Sequence, residues 1–315
     1  MKLDMRSALL AGTVLTGVAA HAASAQDLRL MTGPQGGSWY PLGGAIQNTV
    51  QTASPDTGVQ VLPGAGIANV KGIEAGKADL GFANSVSTVD AINGKPPFET
   101  AAKDVCNVAT LYPQYFQIAA LADSGIDDPS DLKGKAGAIQ PKGNTAEAIT
   151  VHMLEAYGMS YDDLSRVNFG SYSDAVALMK DGNAEFFTLG TTVPAGAIMD
   201  LASARDITLI PIPDDGLAEM QKLNPGYRRI EIPAGSYPEQ AEAVPTIGYA
   251  THLIARCSLD EETVHGVLKA VTANMGDLAS IASAMKGLTP ADMAADVGVP
   301  LHPGAERFYR EQGVL

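Results

Sequence analysis

The segments GAGIANVKGIEAGKADLGF (64–82) and GSYSDAVALMKDGNAEFF (170–187) decide how this chain folds. Each begins in a loop of small residues and continues as a helix whose apolar residues share one face: Ile67, Val70 and Ile73 in the first, Ala175, Val176 and Met179 in the second. Each then ends in a Gly-x-Ala-acid-hydrophobic turn, Gly76 to Leu80 and Gly182 to Phe186, that starts a short apolar strand. Gly64 to Asp79 and Gly170 to Glu185 are both 15 positions apart, so the two stretches read as copies of one plan.

Working outward, strand-like LRLMT (28–32) leads through GPQGGS to a helix over 39–52, with Leu42, Ile46 and Val50 four apart, and VQVLP (59–63) follows as a strand. The second copy is preceded by KAGAIQ (135–140), the loop PKGNT, a helix over 146–157 and the strand RVNFG (166–170). Strand–helix alternation of this kind predicts parallel sheets with helices on both faces, and so an α/β protein of two similar lobes. Between the copies, 107–125 reads as two apolar strands kinked at Pro113. TIGYATHLIAR (246–256) is a further strand and 261–278 a helix. If the strands around 113 and 250 both pass between the lobes, they form a hinge that lets the lobes close on a cleft.

Charge and composition limit the function. With 35 Asp and Glu against 21 Lys and Arg the formal charge is −14, which argues against a nucleic-acid partner. One Trp and 6% aromatic residues leave little for an extended stacking surface, so a small ligand is expected. Residues 1–25 read as a signal peptide: Lys2 and Arg6 precede an apolar run over 8–20, and Ala23-Ser24-Ala25 is a small-residue cleavage site. Its thirteen apolar residues fall short of the ~20 that span a bilayer. The mature chain is therefore expected to start at Gln26, soluble in the periplasm. Cys106 and Cys257, the only cysteines, read either as one disulfide or as two separately buried thiols. His152, His252, His265 and His302 show no metal-ligand spacing, so no metal is expected.

Four loops carry the candidate chemistry: Gly36-Gly37-Ser38, Gly64-Ala65-Gly66 with Asn69, Gly143-Asn144-Thr145 and Ser171-Tyr172-Ser173. Each feeds a predicted helix, whose free N–H groups and partial positive charge suit an anion such as a carboxylate. Taken singly, each also reads as an ordinary helix cap. GPQGGSWY lacks the ending of a P-loop, GAGIAN misses the last glycine of a dinucleotide fingerprint, and neither G-x-S-x-G nor H-E-x-x-H occurs. No cofactor follows from the residues.

The ordered series TGPQGGSWYPLGGAI (32–46), GAGIANVKGIEAGKADLGFANS (64–85), LYP (111–113), DSGIDDPSDLKGKAGAIQPKGNT (123–145), SYSDAVALMKDGNAEFFTLGTTVPAGAIMDLA (171–202) and TIGYATHLIARCSLDEETV (246–264) covers nearly the whole mature chain. It resembles the TAXI-type solute-binding proteins of tripartite ATP-independent periplasmic (TRAP) transporters. The resemblance implies an α/β, two-lobed type II periplasmic binding protein fold with a hinge and a central cleft. It implies a monomeric, non-enzymatic receptor that captures a small carboxylate, a glutamate-like amino acid or a dicarboxylate, and hands it to a TRAP membrane permease driven by an ion gradient. Lobe I is then expected over 26–123 and 250–315, and lobe II over 124–249. The ligand contacts it implies are Ser38, Trp39 and Tyr40 in the first loop, Asn69 in the second, Asn84 and Ser85 after the third strand, and Tyr112 at the hinge. In lobe II they are Gly143, Asn144 and Thr145, followed by Thr188, Gly190 and Pro194. Gly143-Asn144-Thr145 stands where the resemblance implies Gly-Ser-Gly-Thr, with Lys142 beside it. Lys71 and Lys142 are the basic residues expected near the loops, and Phe187 a wall for an aromatic ligand. Two alternatives stand beside the receptor: a secreted enzyme acting on a small carboxylate, and a sensor module that presents its ligand to a membrane kinase.

Overall fold

A computed structural model of the chain describes residues 26–33 and 38–315; the expected signal peptide and the loop residues Pro34 to Gly37 lie outside them. The first copy of the repeat is β1 (Gln26–Met31), α1 (Trp39–Ala53), β2 (Thr57–Leu62), α2 (Gly66–Glu74) and β3 (Leu80–Asn84), continued by α3 (Ser85–Ile92). A long strand, β4 (Cys106–Leu121), leads to the second copy, which is β5 (Ala136–Ile139), α4 (Thr145–Ala156), β6 (Arg166–Phe169), α5 (Tyr172–Lys180) and β7 (Phe186–Thr191). Then come α6 (Gly196–Ala202), β8 (Ile207–Leu209), α7 (Asp214–Leu223), β9 (Arg228–Ile232), the second long strand β10 (Val244–Ala255), α8 (Glu261–Ala273), α9 (Met275–Ile281), α10 (Pro290–Met293) and α11 (Pro303–Glu311).

The strands join in the order β2-β1-β3-β10-β4-β7-β5-β6, with β8 on β4 and β9 on β10. The flanking groups β2-β1-β3 and β6-β5-β7 are parallel and share one strand order, so the repeat in the sequence is a repeat in topology. Its acidic turn has the same job twice. Asp79 accepts the N–H of Arg29 in β1 at 2.9 Å and returns its own N–H to the Arg29 carbonyl; Glu185 does both with Ala136 of β5. The acid thus pins the start of the third strand to the first.

Between the groups, β10 and β4 run antiparallel to each other and to their outer neighbours, so the sheet is mixed rather than parallel throughout. The expected break at Pro113 does not occur: β4 is one strand of 16 residues, about 50 Å long. Pro113 lies opposite Ala250, whose N–H goes to Ser85 Oγ at 3.0 Å, and the pairing with β10 absorbs its bends through register shifts near Thr251–His252 and Leu253–Ile254. The helix expected over 261–278 is likewise two helices, parted at Asn274, whose side-chain amide donates to the Ala270 carbonyl.

Apolar residues gather on either side of the long strands. One core holds Leu28, Leu42, Phe82, Val108, Leu253, Val267 and Tyr309; another holds Phe116, Ile139, Met153, Phe186 and Ile247. β4 contributes Val108 and Leu111 to the first and Phe116 and Ile118 to the second. Phe187, expected beside a ligand, is fully buried in a third cluster with Ala138, Met179 and Leu201. Cys106 and Cys257 are joined in a disulfide with Cα atoms 5.0 Å apart, tying the start of β4 to the residue pair just past β10. No helix among the described residues is long and apolar enough to cross a membrane.

Candidate functional site

Residues that follow β1, β2, β5 and β6, among them Ser38, Ala65, Asn144 and Tyr172, lie around one space, because in both parallel groups the strands deliver the chain to helix N-termini at their carboxyl ends. A cavity of about 110 Å³ lies among them, lined by Gly33, Ser38, Trp39, Ala65, Gly66, Asn84, Gln114, Asn144, Thr145, Tyr172, Gly190 and Thr191. Six of the residues expected to contact ligand are therefore brought together: Ser38, Trp39, Asn84, Asn144, Thr145 and Gly190.

The two halves touch across this cavity. Ser87 Oγ in α3 and Thr145 Oγ1 at the start of α4 are 2.9 Å apart, a hydrogen bond between buried hydroxyls. Gly66, the first residue of α2, faces the same threonine so closely that a Cβ there would stand 2.4 Å from Thr145 Oγ1 and 3.1 Å from Asn84 Nδ2. Only glycine permits this approach. Asn84 is 8% exposed, and its Oδ1 has no hydrogen-bond partner. Trp39 packs its ring on Phe82 with centroids 5.8 Å apart, which fixes the wall it presents to the cavity.

The helix ends differ in how they are satisfied. Ser38 before α1, Ala65 before α2 and Asn84 before α3 make no side-chain cap bond, and none of these helices has an acidic residue in its first turn. Across the cavity, Asn144 accepts the Ala146 N–H to cap α4, and Ser171 with Asp174 forms a reciprocal capping box on α5. Both of these helices also carry an acid in the first turn, Glu147 and Asp174. Side-chain caps are therefore made at these helix ends of the second half and not by Ser38, Ala65 or Asn84 in the first.

The other expected residues sit elsewhere. Asn69 is a fully buried brace: its Nδ2 donates to the Thr32 and Phe82 carbonyls at 2.7 Å each, and its Oδ1 accepts the Ala65 N–H, which shapes the second loop from beneath. Thr188 is spent on Thr150, hydroxyl to hydroxyl at 2.8 Å. Tyr40 and Pro194 are exposed and Gly143, with φ +95°, supplies the turn into α4. Ser85 and Tyr112 border a separate cavity of about 510 Å³ together with Arg228, Ile230 and Leu288. The Tyr112 hydroxyl approaches Ser38, Trp39 and Thr251 without a hydrogen bond of ordinary geometry, and burial pushes its pKa up. Neither expected lysine lines the smaller cavity: Lys71 sits over the Phe98 ring, 5.4 Å from its centroid, and Lys142 is exposed.

Gln114 and Thr191 line the cavity without having been expected there. Gln114 lies on β4, buried, and donates from Nε2 to Thr251 Oγ1 at 2.6 Å. A buried amide two residues past Tyr112 in an apolar strand was the available signal. Tyr172, named only as part of a loop, exchanges hydrogen bonds with the backbone of Gly190, donating to its carbonyl at 3.1 Å and accepting its N–H at 3.3 Å; burial raises its pKa to about 12. No grouping of three or more metal-ligating side chains occurs among the described residues.

Among solved structures, the chain is similar to a Xanthomonas citri protein solved with ATP, at 13% identity over 92% of this chain and 97% of that one, with a TM-score of 0.53. It is also similar to an ancestral arginine-binding protein solved with arginine, at 15% identity over 83% and 98%, with a TM-score of 0.50. At these identities the likeness is one of fold, and with the strand order above it gives this chain the two-lobed α/β fold of type II periplasmic binding proteins. The model of the NMT1-like family matches residues 30–313, so nearly every element described here falls inside the match and the chain belongs to the NMT1-like family.

Proposed function

We propose that the chain is a periplasmic receptor that closes on a small carboxylate and passes it to a membrane permease of the TRAP type. The observation that carries this reading is the convergence of helix N-termini from both halves on one small cavity, bridged by Ser87 and Thr145. The separation of apolar cores supports lobes over 26–123 with 250–315 and over 124–249, with β4 and β10 as the hinge between them. The motif series quoted above supports the TAXI subtype and its permease partner, and the neighbours solved with arginine and with ATP share the fold. The sequence of residues 1–25 supports export and cleavage before Gln26.

Binding without turnover fits the lining best. Ser38, Thr145 and Thr191 offer hydroxyls, but among the described residues no His, Asp, Glu, Lys or Cys lines the cavity to activate one as a nucleophile. A thermal-shift screen of amino acids, monocarboxylates, dicarboxylates and aromatic acids tests the reading, because a ligand bound only by the folded state raises the melting temperature. A screen in which no acid stabilises the mature protein defeats it. Uptake in vesicles holding the cognate permease, driven by an ion gradient without ATP, tests the partner; capture of a membrane kinase in place of a permease supports a sensor.

A further inference from the structure

We propose that the larger cavity, of about 510 Å³, is a second binding site and that it takes a carboxylate with an apolar aromatic or aliphatic body. It is separate from the smaller cavity and does not depend on what binds there. Its volume falls within the roughly 300–1,000 Å³ of small-molecule sites. Leu111, Pro113, Ile230, Tyr249, Leu288 and Val297 give it an apolar lining, so an apolar body entering it is favoured by the surface both withdraw from water.

Charge selects the other end of the ligand. The lining carries three basic side chains, Arg228, Arg229 and Lys286, against two acidic ones, Asp292 and Asp296, in a chain whose acids outnumber its bases 35 to 21. Three of these five are committed within the protein. Arg229 donates to Asp214 and to the Ile212 and Thr246 carbonyls. Asp292 accepts the Thr289 N–H at 2.9 Å and the Thr289 hydroxyl at 2.6 Å, and Asp296 accepts the Gly298 N–H at 2.7 Å. The other two, Arg228 and Lys286, are exposed and have no ion-pair partner among the described residues; Arg228 places only Nη1, on the Pro225 and Tyr227 carbonyls. A carboxylate is the group that such cations bind most strongly, through charge-assisted hydrogen bonds. The cavity also spans the seam of the molecule. One wall is 226–230, whose Tyr227 packs in the core of Phe116 and Met153; another is 284–297, whose Met285 and Met293 pack in the core of Leu28 and Tyr309; β4 and β10 close it between them. An occupant therefore touches both halves at once. Tyr112 and Tyr249 border the cavity and extend toward the smaller one: the Tyr112 hydroxyl approaches Ser38, and a Cβ on Gly190 would stand 2.0 Å from the Tyr249 hydroxyl oxygen.

Isothermal titration of the mature protein with 4-phenylbutyrate tests the proposal, with 4-phenylbutyramide as its uncharged match and butyrate as the acid without the ring. 4-Phenylbutyrate is expected to bind at least about tenfold more tightly than either. The double variant Arg228→Gln, Lys286→Gln is expected to bring the acid down to the level of the amide. Ala284→Trp, at an exposed position on the cavity wall, is expected to abolish binding of both, and if it fails to fold the glutamine pair still decides. Ser38→Ala with Thr145→Ala, in the smaller cavity, is expected to leave the affinity for 4-phenylbutyrate within about twofold. Bound 4-phenylbutyrate is also expected to slow amide hydrogen exchange in both 226–230 and 284–297. Silence of 4-phenylbutyrate, an amide that binds as tightly as the acid, or affinity lost in the Ser38 and Thr145 pair but kept in the Arg228 and Lys286 pair overturns the proposal, and each of these leaves the receptor reading in place.

Discussion

The two halves share a strand order and an acidic turn, yet they finish their helices in opposite ways. In the first half α1 and α2 reach the cavity with uncapped N-termini and no acid in the first turn; in the second, α4 and α5 arrive capped and acid-bearing. The repeat supplies the scaffold twice, but the caps at its helix ends differ between the copies. The second half brings Thr145, which meets Ser87 of the first half hydroxyl to hydroxyl, and Tyr172, which lines the space while bonded to Gly190 of its own half. Under the receptor reading proposed above, a cleft of this kind would hold an anion on one half and use the other as a cover.

The largest expected effect is on the meeting point itself. Gly66→Val drives a side chain into Thr145 and should lower carboxylate affinity roughly a hundredfold while circular dichroism shows the fold retained; an unchanged dissociation constant would mean the halves do not meet there when ligand is bound. Next, the double variant Ser38→Ala, Thr145→Ala removes one hydroxyl from each side of the cavity and should weaken binding about tenfold in calorimetry. A third pair sharpens the contrast between the halves. Ser171→Ala loses a working cap and should cost about 1 kcal/mol in denaturant unfolding with little change in affinity, whereas Ser38→Ala has no cap bond to lose and should do the reverse. Equal stability losses from the two would erase the distinction. The smallest effect concerns pH. Among the described residues no charged side chain lines the cavity, Tyr172 is held neutral up to about 12 and the buried imidazole of His252 is held neutral down to about 3. Affinity for an acid already ionised should therefore change less than about twofold between pH 7 and 9, and a steeper titration would point to an unrecognised charged contact.

Much of this was legible in the sequence because it depends on local periodicity. The helix faces of α1, α2, α4 and α5, the strands before them and the two acidic turns follow from spacings of two, three and four residues. β4 was not, since Pro113 signals a break that the register shifts and the Ala250–Ser85 bond make unnecessary. α3 was missed for a different reason: SVSTVDAI is rich in β-branched and hydroxyl residues, weak helix formers, and it is buried almost all round, so tertiary packing holds it helical and no amphipathic stripe shows. At the site, small residues before helices marked the right loops. Which polar groups within them face the cavity is set by the third dimension. Asn69 and Thr188 are consumed by neighbours from other elements, while Gln114 enters from the crossing strand.

The Cys106–Cys257 link bears on how the cleft can move. It acts as a rivet at one end of a pair of tongs: β4 and β10 are fastened where they leave the first half and continue from there into the second. Strands fastened in that way cannot splay apart at their base, so the closure that the receptor reading requires would have to proceed as a bend or twist of the pair farther along, around Tyr112 to Tyr115 and Gly248 to Thr251. Gln114, which lines the cavity, and Tyr112, which lies beside Ser38, both sit within that stretch, so such a bend would reshape the cavity as it moved the halves.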